Sequence, residues 1–113
     1  MIALSSATRV FVALEAVDLR KSFSGLQGLV RNHLRLDPLS GHVFLFTNRN
    51  RTRLKLLTWD GSGFWVATKR LEKGRFAWPS AEGVNGVLRP EEFHALVNGL
   101  EVVRCKKWYR TEI

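Results

Sequence analysis

A chain of 113 residues, 45% hydrophobic and 25% charged, is the size of one domain and carries enough apolar material for a packed core, which argues against global disorder. A single cysteine, Cys105, rules out an internal disulfide, and the longest apolar run, residues 10–14, is far too short to span a membrane as a helix. The net charge of +8 points to a partner carrying negative charge, and the absence of a basic-then-apolar leader predicts a cytoplasmic protein with no membrane association.

In chain order, Arg9 to Leu14 reads RVFVAL and predicts a short strand. Asp18 suits a helix N-cap, because its carboxylate accepts hydrogen bonds from the free amides of a first turn. From there Leu19, Phe23, Leu26, Val30 and Leu34 recur at spacings of three and four, which predicts one long helix over residues 19–36 with these side chains buried. Gly25 and Gly28 each cost a helix about 1 kcal/mol relative to Ala, so they suggest close approach of another backbone. Pro38 disfavours helical geometry at Asp37 and ends the helix before it.

Residues 42–46, HVFLF, are apolar on both faces, as in a central strand covered on both sides. Asn48-Arg49-Asn50-Arg51 predicts a turn, with the two Asn residues supplying left-handed geometry. In the strand that follows, alternation sets Arg51, Arg53, Lys55, Leu57 and Trp59 on one side and Thr52, Leu54, Leu56 and Thr58 on the other. Asp60-Gly61 is a two-residue hairpin signal, and with that tip Leu57 faces Phe64, Leu56 faces Trp65 and Lys55 faces Val66, whereas a four-residue tip would change every pair. Glu72-Lys73-Gly74-Arg75 makes another turn, and residues 76–79 read as a short last strand ended by Pro79. After a Gly and Asn-rich loop, Pro90 suits a first helical position and Glu91 and Glu92 its positive end, with Phe93, Leu96, Val97 and Leu100 as an apolar stripe. A basic tail with two aromatics runs from about residue 101, inside a single domain spanning 1–113. Together these elements predict an α+β fold, an antiparallel sheet of four or five strands packed on one long helix, with a short C-terminal helix.

Charge is unevenly placed: residues 48–75 carry eight cations and two acids, and no other segment exceeds a net +2. That concentration makes Arg49, Arg51, Arg53, Lys55, Lys69, Arg70, Lys73 and Arg75 candidate phosphate-binding residues. The alternative is a solvated face kept basic for solubility. Trp59, Trp65 and Trp78 are most simply core or rim residues, whereas Trp108, in the tail, is the aromatic best placed to meet a partner.

Catalytic candidates are few. Asp18, Asp37 and Asp60 each have a cap or turn role, and Glu72 beside Lys69, Arg70 and Lys73 reads as an ion-paired turn residue. Cys105 and Ser5, Ser6, Ser22 and Ser24 lie near no His that would activate them, and Gly61-Ser62-Gly63 is a hairpin tip rather than a phosphate loop. His33, His42 and His94 lack metal-ligand spacing, so no metal, cofactor or catalytic residue is expected.

The run DPLSGHVFLFTNRNRTRLKLLTWDGSGFWVATKRLEKGRFAWP resembles a known family in its ordered series Asp37-Pro38, Ser40-Gly41, Phe44-Leu45-Phe46, Arg49, Lys55, Trp59-Asp60-Gly61, Gly63, Lys69-Arg70-Leu71-Glu72, Gly74, Phe76 and Trp78-Pro79. The family is the TnpB-type accessory proteins encoded beside the DDE transposase in one group of bacterial insertion sequences, distinct from the RNA-guided nuclease of the same name. Residues 18–26 also look like its DMRKGFDGL signature, with Ser22 in place of Gly and Ser24 in place of Asp, so a role for an acid at position 24 does not transfer. The resemblance implies a role in transposition beside the transposase of the same element and leaves the mechanism open; the lack of paired reactive groups predicts a non-catalytic accessory factor, and the basic segment predicts DNA as a further partner. A protein-interaction module that touches no DNA is the alternative, and a DNA-processing enzyme ranks below both. The sequence leaves the oligomeric state open.

Overall fold

The computed structural model describes residues 6–80 and 85–100. Five strands, β1 (Val10–Ala13), β2 (Val43–Thr47), β3 (Arg53–Trp59), β4 (Phe64–Arg70) and β5 (Asn85–Leu88), form one sheet in the order β4-β3-β2-β1-β5. Helix α1 (Phe23–Gly28) runs directly into a π-helical turn (Leu29–His33), and α2 (Pro90–Val97) follows β5. The fold is α+β, as predicted, but the sheet is mixed rather than antiparallel. β1 pairs parallel to β2, with Val10 opposite Val43 and Val12 opposite Leu45, while every other pair is antiparallel. A parallel pair needs a crossover of a dozen or more residues, and the α1 region is that crossover.

Alternation along the strands divides the core into two layers. Ala13, Phe44, Phe46 and Leu57 face α1 and pack on Leu26, Val30 and Leu34. Val10, Val12, Val43, Leu45, Leu54, Leu56 and Leu88 face the other way and pack on Phe76, Trp78 and Leu96. All five residues of β2 are buried, the two-faced burial that its apolar run predicts. Trp78 is buried, with its indole N–H donating 2.8 Å to the Ala13 carbonyl, whereas Trp59 lies at the rim and Trp65 is half exposed.

The long helix is absent. Asp18 does not cap it; its carboxylate accepts from the backbone N–H and guanidinium of Arg20, and the helix starts only at Phe23. Phe23, the first residue of the helix, is 46% exposed, against expectation. Leu26, Val30 and Leu34 are buried as expected. Four residues slightly exceed one α-turn and fall slightly short of one π-turn, so the change of helix type keeps this spacing-of-four stripe aligned. Arg35 then takes a left-handed conformation (φ 60) as Leu36 N–H reaches back 2.9 Å to the Val30 carbonyl. Gly25 does not admit another backbone: a Cβ there would lie 2.8 Å from the Cβ of Lys21, and Gly28 faces open space.

Further corrections concern the hairpins. The β3–β4 tip holds four residues rather than two, so Trp59 faces Phe64, Leu57 faces Val66 and Lys55 faces Thr68. The Asp60 carboxylate causes this, since one oxygen accepts from the N–H groups of Ser62 and Gly63 and closes the wider loop. Residues 76–79 are not a strand; the Gly and Asn-rich stretch contains β5 instead, which pairs with β1. In α2, Pro90 occupies the first turn with Glu91 and Glu92, as expected, and Glu92 in addition accepts 2.8 Å from the Arg89 N–H.

Two substitutions test this core by denaturant unfolding. Phe44→Ala removes a fully buried ring and is expected to cost about 3–5 kcal/mol, whereas Phe23→Ala should stay within about 0.5 kcal/mol. Trp78→Phe should cost about 1–3 kcal/mol, because it orphans the buried Ala13 carbonyl.

Candidate functional site

Six of the eight predicted cations meet at one end of the sheet, the end at which the parallel pair β1 and β2 terminates. The β2–β3 turn carries Arg49 and Arg51, and the loop after β4 carries Lys73 and Arg75. The two segments are bound side by side: Leu71 N–H donates 3.0 Å to the Thr52 carbonyl and Phe76 N–H donates 2.7 Å to that of Arg51. Between them Arg53 opens β3 directly opposite Arg70, which closes β4. All six side chains are exposed, and Glu72 is the sole acid in residues 48–53 and 70–75.

The local chemistry explains the turn. Asn48 does not supply left-handed backbone; its side-chain oxygen accepts from the N–H groups of Thr52 and Arg53 at 3.0 and 3.1 Å. The left-handed residue is Arg51 (φ 59), where an L side chain costs about 1–2 kcal/mol relative to ordinary geometry. Arg53 opposite Arg70 is unfavourable as well, since like charges directly across a ladder repel. Arg70 has partial relief from Glu72 at 3.3 Å, an exposed pair that contributes little. A bound polyanion would relieve the remaining repulsion.

The other predicted residues separate from this cluster. The Lys55 ammonium donates 2.8 Å to the Lys21 carbonyl on the α1 face. Lys69 points to the opposite face, where its ammonium donates 2.7 Å to the Val97 carbonyl at the end of α2. Trp108 lies outside the described residues. The prediction of three cations on one side of β3 is therefore replaced: Arg51 is in the turn, and Arg53 and Lys55 share the α1 face. There they line a cleft of about 590 Å³ together with Asp18, Arg20, Asn48 and Thr68. Sequence reasoning missed Arg20, which the crossover brings to this place through a 2.9 Å bond from Val17 N–H to the Thr47 carbonyl. Only the parallel pairing places it there, and no local pattern signals that.

The three aspartate carboxylates are committed to local bonds. The Arg20 side chain, bonded to Asp18, holds that carboxyl well below its usual range. Asp60 is lowered to about 2, first by the Ser62 N–H, then by the Trp65 indole N–H and the Gly63 N–H. Asp37 accepts from Leu39 N–H in the turn after the helix, as its Asp-Pro context implies. Among the described residues no group of three or more His, Cys, Asp or Glu side chains is placed to hold a metal ion, and no helix is long and apolar enough to cross a membrane.

Fold and site together define a small basic α+β protein whose cations gather on the loops at one sheet end. Residues 8–107 match the family model of the IS66 Orf2 like protein, and the chain belongs to that family of insertion-sequence proteins. It is 40% identical over 107 residues to "Uncharacterized protein y4jC" of Sinorhizobium fredii, covering 95% of this chain and 92% of the relative. It is also 40% identical over 93 residues to "Uncharacterized protein y4hO" of the same organism, covering 82% and 81%. No solved structure matches the chain significantly.

Asp60 yields a pH prediction. A carboxyl whose folded value is depressed adds stability above its unfolded value, 3.8, and loses it as pH falls through about 2. Trp65 fluorescence should therefore change between pH 4 and about 2, and Asp60→Ala should abolish that step.

Proposed function

We propose that this protein is a non-catalytic accessory factor in the transposition of its insertion sequence and contacts nucleic-acid phosphates through the basic end of the sheet. The observation that carries this reading is the convergence of Arg49, Arg51, Arg53, Arg70, Lys73 and Arg75 from two bonded loops, with Arg53 facing Arg70. Guanidinium groups suit phosphate because their fork of donors matches its oxygens. Such contacts position a duplex without reading bases, so binding is expected to be largely independent of sequence. The transposase of the same element is the partner that supplies the chemistry. A module that binds the transposase alone is the second reading, favoured by the half-exposed Trp65 and the apolar groove beside β4.

Binding to terminal-sequence and random duplexes at varied salt separates the two. If about four phosphates are neutralised, log affinity should fall against log salt with a slope of about −3.6. Arg49→Ala, Arg51→Asn, Lys73→Ala and Arg75→Ala combined should flatten that slope and weaken both duplexes equally, with Asn chosen because it tolerates left-handed geometry. Lys69→Ala should do much less, since its ammonium lies on the other face. Full affinity in the fourfold variant would discard the site.

Pure protein incubated with terminal-sequence DNA and magnesium or manganese is expected to leave the strands intact. Cleavage that disappears in Asp37→Asn or Asp60→Asn, with the fold preserved, would sink the accessory reading.

A further inference from the structure

β4 is a seven-residue strand at the edge of the sheet, and no described residue pairs with its outer side. Edge strands are usually shielded by proline, bulges or shortness. β5, at the other edge, has four residues; β4 has an unbroken register from Phe64 to Arg70, no proline, and cations only at its end.

The direction of its free backbone groups follows from two bonds that flank the hairpin. Asp60 N–H donates to the Gly63 carbonyl and Leu71 N–H to that of Thr52, both at 3.0 Å. Bonded pairs alternate along an antiparallel ladder, so Trp65, Ala67 and Lys69 bond to β3. Phe64, Val66, Thr68 and Arg70 turn their N–H and C=O groups outward.

We infer that this edge pairs antiparallel with β4 of a second copy, joining two sheets across a two-fold axis at Ala67. The register that uses all seven residues joins Phe64 to Arg70 and Val66 to Thr68, the outward-facing residues of both copies. It leaves Ala67 opposite itself and Trp65 opposite Lys69 as non-bonded pairs. Four bonded pairs exchange about eight backbone hydrogen bonds.

The side chains fit the same register. Arg70 of each copy meets Phe64 of the other, the stem of Lys69, whose ammonium stays on the Val97 carbonyl, lies beside Trp65 of the other, and no like charges are opposed. The smallest side chain of the strand sits on the axis, where non-bonded pairs bring side chains closest. Trp65 is 50% exposed, and its indole N–H is fixed 2.9 Å from Asp60. Opposite Lys69, that ring reaches the mouth of a groove of about 440 Å³ lined by Leu54, Leu56, Ala67, Lys69, Phe93 and Val97. Strand pairing supplies the affinity and the groove the specificity, as in other edge-strand recognition.

Sedimentation of the full chain across micromolar concentrations should show a monomer–dimer equilibrium. Ala67→Lys and Ala67→Glu should each weaken the dimer at least tenfold through like charges on the axis, and mixing the two variants should restore a heterodimer. Thr68→Pro loses only an outward N–H, so it should keep the circular dichroism spectrum of the parent and remain monomeric; it decides the matter if the variants at 67 fail to fold. A monomeric parent, a dimer untouched by the folded variants, or a mixture that stays monomeric overturns the inference.

Discussion

Parallel pairing of β1 with β2 is the constraint on which the remaining arrangement depends. Two strands that begin at the same end of a sheet require the chain to return across one face, and α1 with its π-turn makes that return. The apolar stripe of Leu26, Val30 and Leu34 then covers Phe44 and Phe46. With one face occupied, the segment after β4 and helix α2 cover the other, and Trp78 is fastened to Ala13 there. Two buried threonines close the β2–β3 ladder at its ends: Thr47 donates 2.8 Å to the Arg53 carbonyl and Thr58 donates 3.0 Å to that of His42.

The same constraint decides where charge can go. Strand interiors are committed to two core layers, so cations are exposed chiefly at the turns, and the end where β1 and β2 finish collects the β2–β3 turn and the loop after β4. Lysines on the strands behave differently. Lys55 and Lys69 lay their stems along the sheet and place their ammonium groups on carbonyls at Lys21 and Val97, which makes them structural fasteners as much as surface charge. The strained backbone of Arg51 and the opposition of Arg53 and Arg70 both destabilise the free protein slightly, and both belong to the basic end.

Most element identities were legible in the sequence because burial and turn chemistry are local. β2 shows its two-sided burial in HVFLF, and α2 shows its start in Pro90 and Glu92. What failed was non-local. Nothing near Val10 states that its partner is Val43 in parallel, and nothing in VNGVL competes with its Gly and Asn content until β1 offers an edge. The Asp60-Gly61 pair misled because the Asp60 side chain, reaching forward to Ser62 and Gly63, outweighs the preference for a two-residue tip. The basic segment is visible in the sequence as a local excess of charge, but a linear count of charge carries no face; only the strand register divides Lys69 from Arg70.

Strand order also governs how the chain can be completed during synthesis. β2, β3 and β4 are consecutive, joined by short turns, and their contacts form as soon as residues 43–70 are available. β1 is made first yet waits longest, since its outer neighbour β5 enters only with residues 85–88. Until then Val10 and Val12 lie along an open, apolar sheet edge. A ribosome that pauses after β4 therefore leaves β1 as an apolar edge that the finished fold covers with β5, and the rate of finishing β5 sets how long the nascent chain is open to misassembly.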